Sequence, residues 1–177
     1  ALRKNLYGPT SREVAESHLW LGVLYNWGLQ RKDMAEQHYE LARELLTSYL
    51  PDSRYALGSA YYGLSTIARR KYRFDEALSY AHHYLSLYSD IPYEQAFGME
   101  QIANVYWEQR DYEKSLAFRE QTIRIYEASG FEGDLIMEYS NLANDLVNLG
   151  RYDEAEVAMN LAERILNRTT GDYPYYA

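Results

Sequence analysis

The chain has 177 residues, a net charge of -8, a pI near 5.0 and no cysteine. That is enough chain for one domain with a sizeable core; the missing thiols exclude disulfides and thiolate metal sites, and the acidic balance argues against nucleic acid and membrane surfaces, which need a basic face. No apolar run approaches a bilayer span, and the opening ALRKNLYGPT lacks a signal-peptide core, so a cytoplasmic location is expected.

Residues 1–7 read as the last turns of a helix stopped by Gly8-Pro9. Thr10 or Ser11 caps the next helix, which runs to about Gly28 with Val14, Leu21, Leu24 and Tyr25 on its apolar side. A partner helix over about 33–49, capped by Asp33, carries Ala35, Tyr39, Ala42, Leu45 and Leu46, and Pro51 closes this pair. A second pair is predicted over about 53–70 and 75–88. Its marks are Tyr61, Leu64, Ile67 and Ala68, then Ala77, Leu78, Ala81 and Leu85, with Asp90 and Pro92 ending it. The third pair, about 93–109 and 112–128, carries Met99, Ile102, Ala103 and Tyr106, then Leu116, Ile123 and Tyr126, and stops at Gly130. The fourth, about 133–149 and 152–167, carries Leu142, Ala143 and Leu146, then Tyr152, Ala155, Met159 and Ala162, and stops at Gly171. Asp172-Tyr173-Pro174 opens a further unit. No strand pattern, long linker or low-complexity segment interrupts the series.

The pairs repeat. The small residue one turn into each second helix is Ala35, Ala77, Ser115 and Ala155, spaced 42, 38 and 40 residues apart. Before each turn stands a large-then-small pair: Leu21-Gly22, Leu64-Ser65, Ile102-Ala103 and Leu142-Ala143. The small member lets a neighbouring helix approach while the large one fills the space beside it. Phe74, Tyr112 and Tyr152 enter the later turns, and the first repeat carries one extra residue there. An irregular helical bundle shows periodic Leu and Ala too, but not the same turn marks at a fixed period.

Leu142, Ala143, Leu146, Gly150, Tyr152, Ala155 and Ala162, with weaker copies upstream, resemble the tetratricopeptide repeat family. The period near 40 is similar to the longer-helix subtype of kinesin light chains and bacterial regulatory proteins. Leu6-Tyr7-Gly8-Pro9 and Thr170-Gly171-Asp172-Tyr173-Pro174 look like that subtype's connector. The third repeat departs most, with Arg110 in place of the turn glycine and Ser115, Arg119 and Thr122 in place of small or apolar residues; looser packing or polar groups offered to a neighbour are the two expectations.

The resemblance implies an all-α fold, a right-handed superhelix of about four helix pairs. It forms a single domain over 1–177, with repeats at about 10–50, 52–90, 92–129 and 132–170 and partial repeats at 1–8 and 172–177, part of a longer protein. It further implies a concave groove lined by the first helices. Groove candidates on that frame are Glu16, Leu19, Val23 and Asn26; Tyr62, Thr66 and Arg69; Phe97, Glu100, Asn104 and Trp107; and Met137, Ser140, Asn141, Asn144 and Asn148. Asn104 and Asn144 each follow the small residue of their helix, where peptide-binding relatives place an Asn on the ligand main chain. An amide carries both donor and acceptor for that task, and the competing reading is a helix-surface Asn bonded to water or a neighbouring helix. The carboxylate clamp of some relatives is not reproduced, because Tyr62, Glu100, Ser140 and Asn141 stand where Lys or Arg is needed. Tyr62, Phe97 and Trp107 are equally suited to seating apolar peptide side chains and to inter-repeat packing.

No chemistry is legible. The histidines, His18, His38, His82 and His83, form no ligand spacing, and no phosphate loop or nucleophile elbow is present. Asp75-Glu76, Glu113 and Asp153-Glu154 begin second helices and favour their dipoles. Arg69-Arg70-Lys71-Arg73 compensates a helix C-terminus or meets an acidic partner. The 20 Tyr fill gaps between helices, their hydroxyls reaching outward. The expectation is therefore a non-catalytic module without cofactor or metal that binds a protein or peptide and associates end to end with itself. The second reading is a sensory or regulatory segment of a larger bacterial signalling protein or transcription regulator.

Overall fold

The computed structural model describes residues 6–171, and side chains as far as Thr169. The expected partial repeat at 172–177, the connector that leads into it and residues 1–5 of the first expected helix lie outside the described residues. Among those described, every regular element is helical. The pairs are α1 (Arg12–Val23), continued by a π-helical turn over Leu24–Gly28, with α2 (Lys32–Thr47); α3 (Arg54–Arg70) with α4 (Phe74–Leu87); α5 (Pro92–Glu108) with α6 (Tyr112–Ser129); and α7 (Glu132–Asn148) with α8 (Tyr152–Gly171). They pack as two compact units, one ending at Leu87 and the other beginning at Tyr88, so each unit holds two pairs.

All four turns share one geometry. Three residues join each pair. The middle one, Gln30, Tyr72, Arg110 or Gly150, has φ of 55°, 59°, 63° or 73°. The next amide then reaches back to close the helix: Arg73 to Ala68, Asp111 to Tyr106 and Arg151 to Leu146, at 2.9, 3.0 and 2.9 Å. This is a Schellman closure, and the left-handed residue is its requirement. Glycine adopts that conformation freely; Arg110 adopts it at a cost of roughly 1 kcal/mol. The departure at Arg110 thus leaves the turn intact.

In the first turn Arg31 reaches six residues back, to Tyr25 at 2.8 Å. The turn itself is no longer than the others, so the extra residue expected there sits inside the helix. It forms the π turn, in which the Leu29 amide bonds the Leu24 carbonyl five residues back, at 3.0 Å.

Unit 1 is centred on Tyr39, 1% exposed. Its ring lies between two glycines. A Cβ built on Gly22 of α1 would stand 2.6 Å from its Cδ1, and one on Gly63 of α3 would stand 2.5 Å from Cε2 and Cζ. Ala15, Leu19, Ala35, Ala42, Leu46, Leu57, Ala60, Leu64 and Ile67 complete this core. Unit 2 packs Leu116, Ile123, Tyr126, Leu135, Tyr139, Ala143 and Leu146 against Ala155, Ala158 and Ala162 of α8.

Several expectations need correction. Leu21 and Leu24 are exposed at 37% and 50%; α1 turns Gly22 inward instead, because only a residue without Cβ admits the Tyr39 ring. Tyr152 and Met159 are exposed, and α8 meets α7 through its alanines, which allow the closer approach. Asp33 is not a cap: α2 starts one residue earlier and Asp33 lies in its first turn. Pro92 starts α5 rather than merely ending the previous pair, at the position where its missing N–H costs nothing. Ser11 does cap α1, accepting from the Val14 amide, and Asp111 caps α6 through the Lys114 amide.

Candidate binding faces

In unit 1 the expected groove residues run along α1 and its π turn, from Glu16 to Asn26, and along the second half of α3, from Tyr62 to Arg69. The π turn buries Asn26 to 1% exposure beside the Tyr39 hydroxyl. Neither amide atom of Asn26 finds a partner in hydrogen-bonding geometry, and the same holds for the hydroxyl of Thr66, 3% exposed. Burial pushes the Tyr39 phenol up to about 12, with Asn26 opposing the shift and Tyr62 adding to it. Tyr62 and Arg69, one turn either side of Thr66, are half-buried. Leu19 belongs to the core.

Beside them His18 and His38 meet head to head. Their Nδ1 atoms are 2.9 Å apart and their ring centroids 5.1 Å. Those two distances place the nitrogens almost on the line joining the rings, the geometry of one N–H···N bond. Tyr25 stacks on His38 at 5.4 Å, and burial lowers the His38 pKa.

The basic run after α3 is engaged within unit 1. Lys71 bonds Asp33 and Glu36, Arg73 bonds Glu36 and Glu76, and the Arg70 guanidinium lies 5.2 Å over the Trp27 ring. Asp33 and Glu36 of α2 are thus the acidic partners, and hydrogen bonds from these cations hold their carboxyl pKa values down, against the burial of Glu36.

Unit 2 holds a buried charged network that the sequence marked only in part. Arg119 of α6 is 3% exposed; its Nε donates to Asp145 Oδ2 at 2.9 Å and its Nη2 to Asn104 Oδ1 at 3.0 Å. Its Nη1 lies 3.4 Å from Glu138 Oε1, a long contact. Ser115 donates to Asp145 Oδ2 at 2.7 Å and Asn141 to Glu138 Oε1 at 3.2 Å. Glu138 and Asp145, 1% and 0% exposed, both have raised pKa values because burial outweighs Arg119. Glu100 of α5 joins them; burial, and then the charge of Glu138, raise it to about 7 against the pull of Arg119 and Asn104. Ser115, Arg119 and Thr122 therefore offer polar groups to neighbouring helices, and their near-complete burial rules out loose packing.

Among the sequence candidates the structure brings Glu100, Asn104 and Asn141 into this one network. Phe97 and Ser140 are half-buried on the same helices, while Trp107, Met137, Asn144 and Asn148 are exposed. Asn148 Nδ2 donates to the Asn144 carbonyl, leaving the Asn144 side chain outward. Glu138 and Asp145 were missed, because a carboxylate on a helix reads as solvent-facing until its cation is known. The signal was Arg119, a cation in a position held in the other repeats by Tyr39, Ala81 and Met159, none of them charged. Two surface depressions lie away from these candidates: one along α2 at Asp33, Glu36, Gln37, Glu40 and Leu41, and an apolar cleft of about 330 Å³ where Leu116, Leu142 and Leu161 meet.

Comparison with known proteins agrees with this architecture. Residues 139–169 match the tetratricopeptide repeat family model. No curated protein sequence matches the chain. The fold is similar to that of BtubC (BKLC) from P. vanneervenii, with a TM-score of 0.81 and 20% identity over 94% of this chain and 69% of that one. It is similar to a putative kinesin light chain with nearly identical TPR-like repeats from Podosopora anserina, with a TM-score of 0.78 and 13% identity over 95% and 82%. It is also similar to a Signal Transduction ATPase with Numerous Domains from Pyrococcus horikoshii that has a tetratricopeptide repeat sensor. There the TM-score is 0.75 and the identity 22%, over 89% of this chain but only 25% of that protein. The fold is thus the tetratricopeptide type, in its long-repeat form.

Proposed function

We propose that the chain is a protein-interaction module, without catalysis of its own, that binds a peptide or partner domain on the faces of its first helices. The observation that carries this reading is on α5 and α7. Trp107 of α5 and, at helical spacing on α7, Met137, Asn144 and Asn148 stand exposed on the two helices that Arg119 links through Asn104 and Asp145. Met137 and Trp107 offer adaptable and aromatic contact surface, and the Asn144 amide offers donor and acceptor to a main chain. Asn104 is less available, since its carbonyl oxygen already accepts from Arg119. No helix among the described residues is long and apolar enough to cross a membrane.

The second reading, a sensory or regulatory segment of a larger signalling protein, draws on the likeness to the sensor-bearing ATPase. The domain layout of the parent protein separates the two.

The test has two steps. A pull-down from the source cell's lysate identifies the partner. Met137→Ala and Asn144→Ala are then titrated against it, with thermal stability as control. Truncating a contact of this kind weakens binding about tenfold or more, and both sites are exposed enough to leave the melting temperature unchanged. Wild-type affinity in both variants sinks the assignment of this face.

A further inference from the structure

The charges of unit 2 do not balance. One guanidinium, Arg119 of α6, faces three carboxylates, Glu100 of α5 and Glu138 and Asp145 of α7. Asp145 takes the short bond at 2.9 Å, and Glu138 is left with contacts of 3.4 and 3.5 Å. Glu100 is near both Arg119 and Glu138, and its hydrogen bond comes from Asn104. The remaining titratable neighbours offer no cation: Asp134 on α7, Tyr126 on α6 and Tyr93 on α5 all face the same group. One cation stabilises one carboxylate here. A second and third charge in a largely dry cluster repel each other and lose hydration.

We propose that unit 2 is held by one proton bound within the Arg119 cluster, among Glu100 of α5 and Glu138 and Asp145 of α7, and that losing this proton on mild alkalinisation loosens the contact between these helices. In the protonated state one carboxyl donates or stays neutral while Arg119 serves the other charges. In the deprotonated state two carboxylates oppose each other across α5 and α7, and only Asn104 and Asn141 remain as neutral donors between them. The sites titrate together, so the proton belongs to the cluster rather than to one residue. The upward shifts of Glu100, to about 7, of Glu138 and of Asp145 support this placement. The device concerns the free chain and stands whatever the exposed face binds.

The sign follows from linkage. A carboxyl whose folded pKa lies above its unfolded value binds more protons when folded. Its stabilising effect is complete below the unfolded pKa, near 4.5, and is lost as pH rises through about 7. Over that window the unfolding constant rises by up to about tenfold per pH unit.

The test compares the full chain with Glu100→Gln, which keeps the shape and an acceptor for Asn104 but carries no charge. Urea unfolding is followed at pH 5, 6, 7 and 8 through Trp107, the tryptophan of unit 2, with Trp20 and Trp27 of unit 1 replaced by Phe in both proteins. The wild type is expected to lose stability toward pH 8 relative to the variant, which becomes the more stable of the two there. Parallel curves, or a variant weaker at pH 8, overturn the proposal. A direct reading is carbon NMR of the side-chain carboxyls in the unsubstituted chain. Titration near neutrality within the cluster, at Glu100, Glu138 or Asp145, is expected, and titration of all three in the ordinary carboxylate range overturns the proposal even if the variant fails to fold.

Discussion

Adding one methyl group at Gly63 tests the packing of unit 1 most sharply. The Cβ of Gly63→Ala would sit 2.5 Å from two ring atoms of Tyr39, where ordinary contact starts at 3.4 Å. The ring must therefore move by nearly 1 Å, and its room is limited because Gly22 packs so closely on the opposite edge that a Cβ there would stand 2.6 Å from Cδ1. On a free helix the same change gains about 1 kcal/mol, because alanine is the better helix former. Overpacking a filled core costs about 1–3 kcal/mol or more, and a ring clamped on both sides lies at the upper end. The net expectation is a loss of about 2 kcal/mol, which for a unit of this size lowers the melting temperature by roughly 10 °C. Urea and thermal unfolding by circular dichroism measure it, with Ser59→Ala on the exposed side of α3 as a control for helix propensity. The double variant Gly63→Ala with Tyr39→Leu is expected to show a favourable coupling of about 1 kcal/mol or more, since the smaller side chain makes room for the methyl. A Gly63→Ala chain as stable as the wild type would refute the clamp.

Two further outcomes are expected. Arg110→Gly relieves a left-handed arginine and should raise stability by about 0.5–1 kcal/mol; a loss on urea unfolding would mean that the Arg110 side chain contributes more than its backbone costs. Unit 1 should weaken on acidification from pH 7 to 5, because the His18–His38 contact accommodates one proton between its two Nδ1 atoms and not two. His38 has a folded pKa depressed by burial, so the unfolded chain binds more protons, and the stabilisation present above the unfolded value of 6.5 is lost as pH falls. His38→Gln should flatten that dependence, and an unchanged acid slope in this variant would refute the role of the pair.

The fold was legible because its cause is local. Gly150, Ala155 and Ala162, and their counterparts in the other pairs, state where helices turn and where they approach, and the helix bounds follow within a few residues. The phase of α1 was not legible. Leu21 and Leu24 looked like core because leucine prefers burial, but Tyr39 demands a glycine at the contact, and that demand comes from another helix and from Gly63, 41 residues after Gly22. The unit 2 network was hidden for the same reason. Nothing near Glu138 in sequence announces Arg119, and burial of a carboxylate is decided by the cation that tertiary structure brings to it. The candidates on α5 and α7 came from the resemblance to the repeat family, whose frame does not reveal that Asn104 bonds Arg119.

The π turn at Leu24–Gly28 has a consequence for how such a chain changes length. Inserting a residue into an α-helix rotates everything beyond it by about 100°, which would turn a core stripe toward water. Here the surplus residue is absorbed as one wide turn at the helix end. The register of Val14, Ala15 and Leu19 before it and the three-residue turn after it are both preserved. Lineages of this chain are thus free to gain or lose single residues at the ends of first helices, and repeats of unequal length can descend from equal ones without rebuilding the core between them.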